Sequence, residues 1–385
     1  MYICNIFKKV EKIKEVDLFH PVIIVIIGHL AIFILALPYW GKIGLYNLFK
    51  VAGIVSIFIL GFSLPFIFNL KIKFNEYTAY LSFLFLSFLS LYGVFKITHS
   101  LLLSIIYLLF ILIIVELFIN FHKKRVFNDI LFVIGVLAFI LIVFIYGAIP
   151  LFNYNVRMAI NSEPLRLISM GALIYSAIEN KVYFIIAFVI LVLLGYKVGV
   201  LILFIAYIIY KYRNISFKYM VLISVGLLIF LGIMGKIILL SSNQHWNLNP
   251  IELLCYRAYF DLYVLSKIVE SNILTLGKIT LTPNGEQLIG ELLFGYPHNI
   301  TTTLFGTIYL DFGIFGVLFA ILFGFISKFI YEGDKKLYAI YASLLLAYCE
   351  IGINYGFLIV LFLLLYANAR LKQKDKIKID NNKEG

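Results

Sequence analysis

The stretch LLLSIIYLLFILIIVELFINFHKKRVFNDILFVIGVLAFILIVFIYGAIP, residues 101–150, decides the fold. Two apolar runs, each long enough to cross roughly 30 Å of hydrocarbon as a helix, flank the basic triplet Lys123, Lys124 and Arg125. The same alternation recurs along the whole chain. Composition agrees: 63% of the 385 residues are hydrophobic, 14% are charged and mean hydropathy is +1.02, which leaves too little polar surface to clothe a soluble domain of this size. The chain reads as an all-α polytopic membrane protein.

Apolar segments fall near 21–39, 50–69, 78–95, 101–120, 128–148, 165–179, 182–196, 198–211, 219–240, 303–331, 337–350 and 354–369. Twelve spans follow, with both termini on one side. Residues 166–210 are open to a second reading, an external re-entrant stretch followed by one long tilted helix over 182–210, so the count lies between 10 and 12. The first apolar run exceeds a signal-peptide core and reads as a retained span. With the N-terminus inside, 22 of the 32 basic residues are cytoplasmic, among them Lys211, Arg213, Lys218 and six in the tail from Arg370 onward. The positive-inside rule fixes that orientation.

The net charge of +12 resides in these flanks, so no nucleic-acid partner is implied. Cys4, Cys255 and Cys349 are scattered and build neither a disulfide framework nor a metal site. No phosphate-binding Gly-rich lysine motif, HExxH or CxxC array occurs, and no cofactor is expected. Residues 1–20 form a cytoplasmic N-terminal segment and 370–385 a basic cytoplasmic tail. Membrane helices occupy 21–148, 167–240 and 303–369, and two external segments, 149–166 and 241–302, separate them.

The external segments carry the informative residues. The chain has only 6 arginines against 26 lysines, yet Arg157, Arg166 and Arg257 fall outside the membrane where positive charge is usually shed. A guanidinium offers five donors in a planar fork that suits phosphate oxygens, so these three are candidate substrate ligands for a diphosphate. In 241–302, Asn249, Pro250 and Glu252 have the order of an N-cap, first helical proline and first-turn acid, which predicts an amphipathic helix at the external membrane surface over PIELLCYRAYFDLYVLSKIVES. Arg257 and Asp261 lie i,i+4 on it.

Lys197, between Gly195 and Gly199, interrupts an apolar run and caps an external turn in the twelve-span reading. His298, in GYPHNITTTLFGTIYLDFG, and His245 are the external imidazoles able to serve as a general base, and Asn299-Ile300-Thr301 matches a glycosylation sequon. Asp311 opens the tenth span and needs a partner there, as an ion-pair anchor for an external arginine or as a catalytic acid or base. Glu350 has similar standing near the external end of the eleventh span. Gly316, Ala320 and Gly324 form a small-residue stripe for close helix packing.

Taken together, GAIPLFNYNVRMAI (147–160), LLGYKVGVLILF (193–204) and GELLFGYPHNITTTLFGTIYLDFGIFGVLF (290–319) resemble the oligosaccharide repeat unit polymerases, or O-antigen polymerase-like proteins, in particular their archaeal branch. The resemblance covers residues 146–331. It implies a multi-span glycosyltransferase of the cell membrane, working on its external face in surface polysaccharide synthesis, with a polyprenyl-diphosphate-linked oligosaccharide as donor and a second lipid-linked unit as acceptor. A flippase or chain-length regulator is the protein partner it suggests. Arg157 and Arg257 stand at the family's external arginines and Arg166 near one. Lys197 departs from the arginine expected after Gly195-Tyr196, which keeps the charge and loses the bidentate fork. His298 and Asp311 are then the candidate bases. A ligase would share the topology, arginines and long loop; a flippase or secondary transporter would show broken helices in corresponding halves, which are not evident.

Overall fold

The computed structural model describes residues 17–70, 76–213, 215–242 and 246–384, so the N-terminal lysines, Cys4, Lys71, Lys73 and His245 fall outside the described residues. Every apolar stretch is helical, and no strand occurs among the described residues. Helix α1 (Pro21–Leu35) bends by 49° into a short continuation, Leu37–Ile43. It is followed by α2 (Leu45–Ile67), α3 (Glu76–Thr98), α4 (Leu101–Phe121) and α5 (Arg125–Tyr146). A short helix, α6 (Tyr154–Ala159), precedes three compact ones, α7 (Pro164–Ala177), α8 (Lys181–Leu193) and α9 (Lys197–Lys211). After α10 (Phe217–Ser241) the long connection holds α11 (Pro250–Ser271) and α12 (Gly285–Phe294). Helices α13 (Gly306–Phe312) and α14 (Val317–Tyr331) form a pair joined by a 3-10 turn, and α15 (Lys335–Ile351) and α16 (Tyr355–Glu384) complete the bundle.

Seven helices among the described residues, or eight counting the bent α1, are long and apolar enough to cross a membrane. Their outer faces are apolar and bare, as Leu102, Phe88 and Phe144 illustrate, which suits contact with lipid. The remaining apolar helices are shorter because polar residues and turns cut them. Asn180 caps α8 by accepting from Val182 N at 2.9 Å, and Asp334 caps α15 by accepting from Lys336 N at 2.9 Å. Between α8 and α9, Gly195 takes φ +78°, a left-handed conformation that a side chain disfavours, so 182–210 is two helices rather than one.

Side-chain ties sort the helix ends into two groups. At one end Arg213 bridges to Asp17 at 2.8 Å, and Lys336 reaches Glu179 at 3.3 Å and Asn128 at 2.9 Å. Tyr210 and Tyr183 donate there to Glu179 and Asp129, and Arg370 meets Glu116 at 3.0 Å. At the other end Leu151 N bonds Leu193 O at 2.9 Å, Asn47 donates to Glu270 at 2.6 Å, and Arg257 pairs with Glu350 at 3.1 Å. Helices α7, α8 and α9 run between the same two ends as the longer α5. At 1.5 Å per residue they are only about 20 Å long against about 33 Å for α5, so their far ends stop roughly 10 Å short of its own. By these lengths the turn after α8 lies recessed relative to the end of α5.

The long connection is ordered by packing of its own. Val264, Ile268, Ile279, Ile289, Ile300 and Leu310 form a separate apolar core beneath it. Helix α11 carries the expected cap: Asn249 accepts from Ile251 N and Glu252 N, and Glu252 accepts from Asn249 N at 2.8 Å. Its buried stripe, including Ala258, Leu262 and Leu265, packs against α1 and α2, and Leu253 lies against Gly235 of α10.

The small-residue stripe meets α2. A Cβ on Gly324 would stand 2.1 Å from the carbonyl oxygen of Phe62, a backbone atom unable to yield without moving the helix. Gly324→Val is therefore expected to destabilise the bundle by about 1–3 kcal/mol, seen as a lower thermal unfolding midpoint of the detergent-solubilised protein, whereas an unchanged midpoint would contradict this packing.

Candidate functional site

The recessed end of the bundle collects four of the six sequence-nominated residues. Arg157 lies on α6, which Asn153 caps by accepting from Val156 N at 3.2 Å. Its guanidinium is buried and donates to Ser241 Oγ (2.9 Å), Leu151 O (3.3 Å), Pro150 O (3.4 Å), Ser242 Oγ (2.7 Å) and Ile238 O (3.2 Å). These acceptors belong to the 150–151 turn and the C-terminal turn of α10, where free carbonyls and the helix dipole attract a cation. No carboxylate is among them. Burial pulls the Arg157 pKa below the ordinary arginine value.

Tyr196 joins Arg157 to Arg166. Its hydroxyl donates to Arg157 O at 3.1 Å, and the Arg166 guanidinium lies 4.3 Å from the centre of its ring. Arg166 donates through Nη2 to Asn161 O at 2.7 Å, and its Nε is buried without a partner. It has no ion pair among the described residues. Glu163, close in sequence, instead accepts from Tyr146 at 2.7 Å.

Lys197, the first residue of α9, extends its amine toward Gly235 of α10, where a Cβ would be 3.5 Å from Nζ. It makes no hydrogen bond and no ion pair within 4 Å among the described residues, while Glu350, Arg257 and Asp261 are the charges that act on it. Arg257 is different. Its Nε donates to Glu350 Oε1 at 3.1 Å, its Nη2 donates to Thr301 Oγ1, and Asp261 Oδ1 lies 3.8 Å from Nη2. Thr301 in turn donates to Asp261 Oδ1 at 3.1 Å. Asp261, and against burial also Glu350, hold Arg257 above its ordinary pKa; burial pushes Asp261 up, opposed by Arg257. Nη1 of Arg257 has no hydrogen bond among the described residues, so one edge of the fork is uncommitted.

The extended segment 300–304 fixes this network. Thr302 N bonds Ile351 O at 3.5 Å, Leu304 N bonds Cys349 O at 3.2 Å and Ile353 N bonds Leu304 O at 3.0 Å, which brings Thr301 and Glu350 together at Nη2 and Nε of Arg257. Asn354 continues the layer by donating to Glu286 Oε1 at 2.7 Å, and burial raises the Glu286 pKa.

His298 and Asp311 do not join the arginines. His298, two residues before the 300–304 segment, is exposed, 6.2 Å between ring centres from Tyr296, with no hydrogen bond to its ring among the described residues. Asp311 is fully buried and its partner is not an arginine. Oδ1 accepts from Thr275 Oγ1 (2.5 Å) and Ile279 N (3.0 Å), and Oδ2 accepts from Thr280 N (2.9 Å) and Thr280 Oγ1 (2.6 Å). The carboxylate thus pins the 275–280 turn to the start of the α13–α14 pair. Tyr196, Thr301, Glu286 and Asn354 belong to the site although the sequence reading gave them no role; the run Gly195-Tyr196-Lys197 and the threonines after His298 were the available signals.

A cavity of about 420 Å³ at the opposite end, lined by Lys123, Arg125, Asp129, Glu179 and Lys181, is remote from these residues. Its acids are already engaged, Glu179 by Lys336 and Asp129 by Tyr183. Among the described residues no group of three or more His, Cys, Asp or Glu could hold a metal ion.

Seven or eight membrane-capable helices among the described residues define a multi-pass membrane protein, and Arg157, Arg166, Lys197 and Arg257 gather at one end of it. The sequence profile of the O-antigen polymerase family matches residues 17–366, and the chain belongs to that family. An uncharacterized protein of Methanocaldococcus jannaschii is 79% identical over 381 residues, covering 99% of this chain and 100% of its own. No solved structure matches the chain.

Because the Arg157 fork satisfies two separate backbone turns, Arg157→Lys is expected to cost about 2–3 kcal/mol of stability, measurable as a lower thermal midpoint and faster hydrogen exchange at the end of α10. Unchanged exchange there would contradict the capping role.

Proposed function

We propose that the recessed end is the external donor site of a membrane glycosyltransferase that polymerises polyprenyl-diphosphate-linked oligosaccharide repeat units. One observation carries the reading: Arg166 and Lys197 lack any carboxylate partner among the described residues, in the same neighbourhood as the uncommitted Nη1 of Arg257. An unpaired cation near a bilayer is costly unless a ligand supplies the counter-charge. A diphosphate carries enough negative charge to neutralise this group, and arginine geometry suits its oxygens.

In this reading twelve apolar segments cross the membrane, with residues 1–20 and 370–385 cytoplasmic and 149–166 and 241–302 external. The positive-inside count supports it, and seven or eight of the helices among the described residues are long and apolar enough to cross by themselves. The lipid tail stays beside the bare apolar helices while the diphosphate rests on the recessed floor, so a headgroup need not leave the interfacial zone to reach the arginines. Arg166, Lys197 and Arg257 hold the diphosphate. Arg157 caps α10 and, through Tyr196, supports Arg166. Fixed cations aimed at the leaving group favour the transition state, in which diphosphate charge grows as the anomeric C–O bond breaks. A hydroxyl of the second lipid-linked unit attacks that carbon, and its proton goes to a base drawn from this end of the protein; His298 and Asp311 were the sequence candidates. Repeat units would reach the site from a flippase, and a chain-length regulator would act on the product.

The reading is tested with membranes containing lipid-linked repeat units, comparing wild type with Arg166→Ala and Arg257→Lys at matched expression. Each variant is expected to lose about 10–100-fold in polymer formation, with single-unit lipid-linked glycan accumulating on the external face. Polymer of unchanged amount and length would overturn the assignment, and accumulation on the cytoplasmic face would point to a flippase instead.

A further inference from the structure

We propose that Glu350 is the base that accepts the proton of the attacking sugar hydroxyl. The inference rests on the donor-site reading above and assigns its missing group. A general base must be oriented, must have a free lone pair and must be open to the incoming hydroxyl.

Most titratable groups at this end fail one of these conditions. Both oxygens of Asp311 are occupied by two donors each, and the residue is fully buried. Asp261 is also fully buried, with Oδ1 taken by Thr301. Glu286 accepts from Asn354, Glu163 from Tyr146, Glu252 from Asn249 N and Glu270 from Asn47; one oxygen of each is thereby used, as in Glu350, but none of the four is paired with Arg257 as Glu350 is. His298 is open, but no group orients its ring among the described residues.

Glu350 meets all three conditions. Its side chain is 47% exposed, Oε1 accepts from Arg257 Nε at 3.1 Å, and Oε2 makes no hydrogen bond among the described residues. The backbone on both sides is clamped: Cys349 O accepts from Leu304 N, and Ile351 O accepts from Thr302 N. Arg257 therefore touches the base through Nε and leaves Nη1 for the diphosphate. The same guanidinium sets the position of base and leaving group relative to each other. Lys197, which feels the Glu350 charge most strongly, borders the same space.

The step balances without a further reactant. The hydroxyl proton passes to Glu350 Oε2 while the hydroxyl oxygen forms its bond to the anomeric carbon. The bond from that carbon to the diphosphate oxygen breaks, its electron pair leaves with the diphosphate, and Arg166, Lys197 and Arg257 hold the added charge. Glu350 then returns its proton to solvent through its open face.

The test uses the full chain reconstituted in vesicles with lipid-linked repeat units, comparing wild type, Glu350→Gln, Glu350→Asp, His298→Ala and Arg166→Ala. Glutamine keeps an oxygen for Arg257 Nε but is not a base. Glu350→Gln is therefore expected to lower kcat by about 100-fold or more while KM for the donor moves less than about threefold, and to abolish the acidic limb of the kcat/KM–pH profile. That limb should survive in His298→Ala, and Glu350→Asp should recover part of the lost rate. Retained kcat in Glu350→Gln, a rise in its KM alone, or loss of the limb in His298→Ala would each overturn the proposal. If Arg166→Ala abolishes activity while Glu350→Gln does not, the base assignment alone fails; if neither variant matters, the donor-site reading fails with it.

Discussion

The ion pair between Arg257 and Glu350, 3.1 Å apart, is the contact on which the arrangement of this site depends. It joins α11, in the long connection after α10, to the end of α15, and the 300–304 segment closes over it through Thr301 and Asp261. A half-exposed pair of this kind contributes modestly to stability. Its value lies in geometry. Two of the guanidinium's nitrogens are committed to protein acceptors, so the third has a fixed direction, and a charged donor that need not reorient is worth more to a transition state than a mobile one.

The surrounding charges fall into two sets with different roles. Arg257 sits among acids, whereas Arg157, Arg166 and Lys197 have none in contact among the described residues. Arg157 is neutralised only by carbonyl and hydroxyl dipoles at the end of α10. It is a structural cap whose charge still adds to the local field. Arg166 and Lys197 keep donors uncommitted. Helices α7 to α9 are each shorter than α5, which by length alone sets this group below the end of α5.

Much of the fold was legible in the sequence because hydropathy acts locally. Each apolar run became a helix, the Asn249 cap formed as its residue order required, and the spacing of Arg257 and Asp261 brought their side chains near each other. What could not be read was partner choice across long separations. Arg157 meets Ser241 and Ser242 more than 80 residues away, and nothing in either segment announces the other. Asp311 needed a partner, as a buried carboxylate must, but turn amides and threonine hydroxyls 31 to 36 residues upstream satisfy it instead of an arginine. The split between α8 and α9 was ambiguous by hydropathy and was decided by Gly195. Glu350 was visible as an acid near a span end; its significance came only from the Arg257 contact.

The central claim is that uncompensated cations on the recessed floor bind a lipid-linked diphosphate. The most direct measurement is equilibrium binding of polyprenyl diphosphate to the full chain in lipid nanodiscs, for wild type, Arg166→Ala and Lys197→Ala, across a range of salt. The account predicts that each substitution raises Kd by about tenfold or more and flattens the salt dependence. Equal affinities and equal salt slopes in all three proteins would contradict it.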